Sequence, residues 1–282
     1  MQTQCDLSAD LTVFVLTVGA PSFAVCMKRL EAQDCRFTLE VIENVAPMSR
    51  ALQCMLDRCR TPFFVQVDED MLLYPHAIRS LYTHLTESPP NVAILTCHLF
   101  DSHAERVIYG LKIYRHAIVH AYPYNDVESS EYDQIRRFTK DGFVDRRLPI
   151  NDHFRPSEIT LGEHGSMWTS RSVFERYLTL ERKIRRHREG TPTTSATWVE
   201  EHAAFFLKRY LDTGAELDLY ALMGVIAGRL APVGGRGREK DYRDYERLPG
   251  FRALVRFVED ARSESELDAP RATNSGIGCD RR

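Results

Sequence analysis

The stretch Phe63-Phe-Val-Gln-Val-Asp68-Glu69-Asp70-Met-Leu-Leu-Tyr-Pro75 joins a short apolar run to a cluster of three acids. A continuous β-rich run of this kind predicts a strand buried in a parallel sheet. The acids then lie at the strand's carboxyl end, which is the edge where ligands bind in open α/β sheets. This one stretch therefore predicts both an α/β fold and the place of a site.

Apolar runs and helical spacing alternate on both sides of this stretch. The predicted strands are Leu11–Val18, Phe37–Glu43, Phe63–Val67 and Val92–Cys97, and the predicted helices lie near Phe23–Leu30, Pro47–Cys59 and Pro75–Leu85. Strands that alternate with helices of this length favour a doubly wound, mostly parallel sheet.

The alternation weakens after residue 100. Short strands are predicted at Arg106–Tyr114 and Ile118–Tyr122, and helices at Ser129–Lys140, Arg171–Arg188, Thr197–Asp212 and Leu219–Arg229. We expect one α/β domain over 1–232 that ends in an α-helical extension. Residues 233–282 are expected to form a charged, partly disordered C-terminal extension with one helix near Phe251–Asp260.

Composition excludes several classes of protein. In 282 residues, 43% are hydrophobic, which is enough to bury a core, and the net charge of −3 offers no overall attraction for nucleic acid. Apolar runs stay below the roughly 18 residues of a membrane span, and the N-terminus lacks a secretory pattern. Seven cysteines without a CxxC pair predict reduced thiols and a cytoplasmic location.

The three acids predict a cation site. Carboxylates crowded at a strand end raise one another's pKa unless a cation neutralises them, and oxygen ligands suit Mg²⁺ or Mn²⁺. Two structural alternatives stay open: the acids form a solvated loop, or they cap the following helix.

The same residues, FFVQVDEDMLLYP, resemble the DxD segment of GT-A-type, family-2-like glycosyltransferases. The resemblance covers residues 11–100 and, more loosely, 100–170. It implies a GT-A-like fold whose first half binds a nucleotide-sugar donor, with a divalent cation (Mn²⁺ or Mg²⁺) on the donor diphosphate. It also implies transfer of the sugar to an acceptor hydroxyl, with inversion of configuration.

The resemblance also implies particular site residues. The donor base and ribose would lie over Thr17, Val18, Gly19, Glu43 and Asn44, Arg50 would meet a phosphate or the base, Asp70 would bind the cation, and Asp68 would assist through ribose or metal-bound water. For Glu43, Asn44 and Arg50, ordinary turn and helix-surface roles are equally open.

An inverting enzyme needs a carboxylate that accepts the acceptor's proton. By the resemblance, the base opens a helix after the DxD and a histidine then completes the metal site. The segment Glu128-Ser-Ser-Glu131-Tyr-Asp133 offers Asp133, with Glu131 as the fallback, and His164 offers the third ligand. Favourable charge in a first helical turn explains both acids equally well, and a loop histidine is often only a surface residue.

Other assignments remain in competition. Glu200, Glu201 and His202 form a second acid and histidine group, which we interpret as part of a packed helix. Trp168, Tyr122 and Tyr124 offer rings on which a sugar acceptor can stack. Two further functions are open: a nucleotidyl- or phosphoryl-transfer enzyme, and a non-catalytic binding module. The acceptor, whether glycan, lipid-linked or protein, is not specified.

Overall fold

The computed structural model describes residues 5–127, 129–148, 160–188 and 196–230. The expected extension at 233–282, with its helix at Phe251–Asp260, lies outside the described residues, as does Glu128.

The elements follow one another in a mixed α/β order. The strands are β1 (Cys5–Asp6), β2 (Leu11–Thr17), β3 (Cys35–Arg36), β4 (Thr38–Glu43), β5 (Phe63–Asp68), β6 (Met71–Leu73), β7 (Val92–Asp101), β8 (Arg106–Arg115), β9 (Val144–Arg147) and β10 (Thr160–His164). The helices are α1 (Phe23–Glu31), α2 (Met48–Arg58), α3 (Ala77–Thr86), α4 (His116–Val119), α5 (Ser130–Lys140), α6 (Ser170–Arg188), α7 (Ala196–Thr213) and α8 (Glu216–Leu230).

The main sheet has the order β4-β2-β5-β8-β7-β10-β6, and β9 also pairs with β7. Four pairs of strands are parallel: β4 with β2, β2 with β5, β7 with β10, and β7 with β9. Strand β8 runs antiparallel to both of its neighbours, β5 and β7, and β6 runs antiparallel to β10. A small parallel pair joins β1 to β3. The predicted α/β class, with a mostly parallel sheet and a helical region after it, is confirmed.

Three details differ from the expectations. The antiparallel strand β8 separates β5 from β7, so the predicted parallel half is interrupted. The segment predicted as a strand at Ile118–Tyr122 begins inside helix α4 and continues as a turn, because a short apolar run does not distinguish the two structures. Strands β6, β9 and β10 are not among the predicted elements, because three to five residues are too few for an alternating pattern to show.

The sheet has a hydrophobic core on each face. Val13, Val15, Val65 and Val67 point to the side covered by α1 and α3. The alternate residues Phe14, Leu16 and Phe64 point to the side covered by α2, α4 and α5. This alternation is the period of a strand buried on both faces. The cysteines within the described residues, Cys5, Cys26, Cys35, Cys54, Cys59 and Cys97, are free thiols.

The C-terminal helices pack closely through two glycines. A Cβ atom on Gly224 would lie 2.5 Å from the carbonyl oxygen of Phe174, and one on Gly228 would lie 2.5 Å from that of Leu178. Helix α8 therefore approaches α6 at a distance that only glycine allows, with Ala221 and Val225 buried and Ile226 exposed. Within the described residues, no helix combines the length with the hydropathy that a membrane span requires.

Candidate functional site

One edge of the sheet collects the ends of five strands. Because β4, β2, β5, β7 and β10 run in the same direction, their last residues lie along the same edge. These residues are Glu43, Thr17, Asp68, Asp101 and His164. This is the carboxyl edge at which the sequence predicts a site.

Strand β10 brings His164 to the acidic cluster. It lies between β6 and β7, with His164 opposite Met71 on one side and Asp101 on the other. The imidazole Nε2 of His164 lies 3.3 Å from Oδ2 of Asp70, although the two residues are 94 positions apart in the chain. His164 is thus the buried end of a strand, where the sequence suggested a loop.

Trp168 fixes the same carboxylate. Its indole Nε1 donates a hydrogen bond to Oδ2 of Asp70 at 2.9 Å. A tight turn at Gly165 makes this possible, since Gly165 has φ +77° and a Cβ atom there would lie 2.7 Å from the indole ring. The Arg176 guanidinium lies 4.4 Å from the centre of that ring. Trp168 therefore holds Asp70 in place. The sequence suggested only that its ring could stack on a sugar acceptor.

Asp68 carries an unfavourable charge. Burial, and next the carboxylate of Asp70, raise the pKa of Asp68 from 3.8 to about 6, although Gln66 donates a hydrogen bond to its Oδ1 at 3.2 Å. Glu131 adds to the rise and Lys112 opposes it, so both of these side chains lie near Asp68. A cation at this edge would relieve the repulsion between the two aspartates.

Lys112 is a residue of this edge that sequence reasoning missed. It lies in β8 between Gln66 of β5 and Thr96 of β7, and its Nζ donates a hydrogen bond to Oε1 of Glu131. Burial lowers the pKa of Lys112, but the charge and hydrogen bond of Glu131, together with the charges of Asp68 and Asp145, outweigh burial, and the net pKa is raised. A lysine within an otherwise alternating strand gives no sequence signal of this role.

Asp133 lies in a different environment from Glu131. Its carboxylate accepts hydrogen bonds from Asn125 Nδ2 at 2.8 Å, Arg136 at 3.2 Å and Arg137 at 3.0 Å. Burial raises the pKa of Asp133, but these three donors together outweigh burial and lower it. The two candidate bases therefore differ: Asp133 is held by two guanidinium groups, whereas Glu131 faces Lys112 beside Asp68.

The loop after β2 is closed by Glu69. Its carboxylate accepts hydrogen bonds from the Thr17 hydroxyl at 2.5 Å and from the backbone N–H groups of Val18 and Ala20 at 3.1 and 2.8 Å. Gly19 has φ +83° and donates its N–H to the Thr17 hydroxyl at 2.9 Å. The middle acid of the cluster thus organises the loop, and it occupies donors that the resemblance assigns to the nucleotide.

The remaining predicted donor contacts lie at the neighbouring strand end. Glu43 is aligned with Thr17 in the β2 and β4 register. Asn44 has φ +54° and donates its N–H to the Thr17 carbonyl at 2.9 Å. Arg50 lies in the first turn of α2 and is exposed. Glu43 and Asn44 therefore share an edge with Asp68, while Arg50 lies on the helix that follows them.

The competing acid and histidine group is placed elsewhere. His202 is buried among the rings of Tyr177 and Phe206. Burial, and next the charge of Arg106, lower its pKa to about 4. His202 packs as part of a helix, as interpreted from the sequence, and the side chains of Glu200 and Glu201 lie outside the described residues. Tyr124 lies in the core and donates its backbone N–H to Gln53, and Tyr122 packs against the core and donates its hydroxyl to Asp141.

The donor set at Asp70 suits a divalent cation. Two carboxylates and an imidazole are ligands that Mn²⁺ accepts, and such ions commonly take further ligands from substrate phosphates and water. Within the described residues, no group of three or more His, Cys, Asp or Glu side chains is arranged as a complete metal site. Asp70 and His164 can therefore supply part of a coordination shell, which a bound substrate must complete.

No family model and no curated protein matches the chain. Among solved structures, it is similar to mannosyltransferase PcManGT from Pyrobaculum calidifontis in complex with GDP-Man and Mn²⁺, at 13% identity over 90% of this chain and 80% of that chain, with a TM-score of 0.45. TarS 1–349 from S. aureus in complex with UDP shows 14% identity over 72% of both chains, with a TM-score of 0.39.

The structure of a synthase is also similar to the chain. The 4-diphosphocytidyl-2C-methyl-D-erythritol synthase from Anaerococcus prevotii shows 6% identity over 49% of this chain and 88% of that chain, with a TM-score of 0.36. At these identities and TM-scores the likenesses carry no argument about activity, which must come from the residues at the sheet edge.

Proposed function

We propose that the chain is a GT-A-type, family-2-like glycosyltransferase that moves a sugar from a nucleotide-diphosphate donor to an acceptor hydroxyl with the help of Mn²⁺ or Mg²⁺. The observation that carries the proposal is the 3.3 Å approach of His164 to Asp70 at the carboxyl edge of the sheet. Acids and a histidine from distant parts of the chain meet where a nucleotide-binding α/β sheet binds its ligand.

In this proposal Asp70 and His164 bind the cation, and Asp68 assists them. The raised pKa of Asp68 supports this role, because crowded carboxylates at a strand end are stabilised when a cation lies between them. The bound ion would neutralise the charge that develops on the departing diphosphate.

The donor nucleotide would lie over the ends of β2 and β4, beside Gly19, Glu43 and Asn44. Thr17 and Val18 donate hydrogen bonds to Glu69. In this proposal they therefore fix the shape of the loop below the donor. Arg50 at the start of α2 is a candidate for contact with the base or a phosphate.

Glu131 is the better candidate for the general base, and Asp133 is the weaker one. A base must accept a proton from the acceptor hydroxyl, and a carboxylate bonded to two arginines and an asparagine has little capacity left to do so. Glu131 lies near Asp68, and Lys112 fixes one of its oxygens. The Glu131 carboxylate would accept the proton in an inverting, single-displacement transfer.

Ligand-induced thermal stabilisation tests the proposal. Stability should rise when GDP or UDP is added together with Mn²⁺, since a ligand that binds only the folded state stabilises it by RT ln(1 + [L]/Kd). The rise should be lost in Asp70→Asn and kept in Asp133→Asn, a matched carboxyl-to-amide control in α5. Equal stabilisation of wild type and Asp70→Asn would exclude the proposed cation site.

A further inference from the structure

Five side chains form a closed ring behind the proposed cation site. Asp70 Oδ2 accepts the N–H of Trp168, the Trp168 ring lies under the Arg176 guanidinium, and Arg176 lies 3.3 Å from Asp101 Oδ2. The same Asp101 oxygen faces Nδ1 of His164 at 3.7 Å, and Nε2 of His164 returns to Asp70 at 3.3 Å. The ring links two strand ends to the first turns of helix α6.

Asp101 is the most buried member of this ring. Its side chain is 1% exposed, and its carboxylate is held on three sides by the N–H of Ala104 at 2.8 Å, by Arg176 and by His164. A carboxylate withdrawn this far from water cannot reorient without losing these partners, because a buried charge without partners is costly. Asp101 therefore presents a fixed negative charge to His164.

The two nitrogens of His164 face two different carboxylates. Nε2 faces Asp70, where the proposed cation would bind, and buried Nδ1 faces Asp101 but has no hydrogen-bond partner within the described residues. An imidazole can bind a cation through one nitrogen only when that nitrogen offers its lone pair, and the group at the other nitrogen decides where the ring proton lies.

We propose that Asp101 is a positioning residue that keeps the ring proton of His164 on Nδ1 and so directs Nε2 at the cation bound by Asp70, with Arg176 holding Asp101 in place. The inference rests on the cation site of the proposed function. It assigns a role to two residues that the sequence did not single out, and it makes helix α6 a support of the site.

The opposing interpretation is that Asp101 and Arg176 only attach α6 to the sheet. The chain contains a control for this possibility. Asp218 is another fully buried carboxylate, and it pairs with His103 at 3.2 Å and with Arg209 at 3.1 Å. It thus repeats the histidine, aspartate and arginine arrangement, and within the described residues Asp218 makes no hydrogen bond or ion pair with Asp70.

Mn²⁺ affinity of the full chain, measured without nucleotide from the electron paramagnetic resonance signal of free Mn²⁺, tests the inference. Asp101→Asn should bind Mn²⁺ roughly tenfold to a hundredfold more weakly than wild type, as is typical when the partner of a metal-binding histidine is lost. Asp218→Asn should keep the wild-type affinity even if its melting temperature falls. Wild-type affinity in Asp101→Asn, or an equal loss in both variants, would overturn the inference.

A second variant keeps the test decisive if Asp101→Asn does not fold. Arg176 is 34% exposed, so Arg176→Met is expected to fold, and it removes the group that holds Asp101. Its Mn²⁺ affinity should fall roughly threefold to tenfold and be restored in Arg176→Lys. Unchanged affinity in Arg176→Met would contradict the proposal. If wild type itself binds no Mn²⁺, the cation part of the proposed function fails, and that outcome is distinct from a failure of the Asp101 role.

Discussion

Replacing Asp68 with asparagine should stabilise the metal-free chain at neutral pH. Burial and the neighbouring Asp70 raise the pKa of Asp68 from 3.8 to about 6, so its ionised form costs the folded state about 3 kcal/mol relative to the unfolded chain. Asparagine removes this charge, and its side-chain oxygen can still accept the hydrogen bond that Gln66 donates to Asp68. We expect a gain of about 1–3 kcal/mol in the free energy of unfolding at pH 8.

The sign follows from the direction of the pKa change. Below about pH 3 the carboxyl is protonated in both states, and wild type and Asp68→Asn should be equally stable. Between about pH 3 and 6 the unfolded chain releases the proton first, so wild type loses stability relative to the variant. Above pH 6 the difference should stay constant at its full value.

Denaturant unfolding at pH 3, 4, 5, 6 and 8 with a chelator present measures this difference. In thermal unfolding at pH 8 the melting temperature of Asp68→Asn should be about 3–8 °C above that of wild type. Asp133→Asn is the matched control with the opposite sign, because the pKa of Asp133 is lowered and its ionised form stabilises the fold above its pKa. An Asp68→Asn variant that is less stable than wild type at pH 8, or a difference independent of pH, would refute the reasoning.

Three further predictions concern the neighbouring residues. In steady-state kinetics, Glu131→Gln should lower kcat roughly 100-fold with little change in donor KM, whereas Asp133→Asn should keep near wild-type turnover. The reverse result would restore Asp133 as the base. Lys112→Met should destabilise the fold by about 1 kcal/mol in chemical unfolding, because it removes an ion pair with a Glu131 carboxylate that is 35% exposed, and Lys112→Arg should recover part of the loss. Gly165→Ala should disturb the turn under Trp168 and reduce the change in tryptophan fluorescence on Mn²⁺ addition, measured in a Trp198→Phe background; an unchanged signal would show that the turn is not needed.

The first hundred residues follow closely from the sequence. Leu11–Thr17 and Phe63–Asp68 are strands because their apolar residues are continuous, and α2 ends within one residue of its predicted limit because its apolar spacing is regular. The edge position of Asp68 and Asp70 follows from the end of β5. These features are local, and local patterns can be read directly.

The rest depends on contacts between distant residues. Strand β8 lies between β5 and β7 because it pairs with both of them, and this pairing brings Lys112 to the site edge of the sheet. Glu131 and Asp133 lie two positions apart, about 200° around α5, so the sequence cannot choose between them until the packed face is known. Asp101 gives no signal at all, since its role arises only when β10 lies beside β7.

Release of nucleoside diphosphate from nucleotide sugars tests the central claim most directly. We predict that wild type, given a panel of GDP-sugars and UDP-sugars, releases the nucleoside diphosphate from at least one donor only when Mn²⁺ or Mg²⁺ is present, and that Asp70→Asn does not. Release of pyrophosphate or inorganic phosphate, equal release by Asp70→Asn, or no release from any donor by a folded, cation-loaded chain would contradict the account.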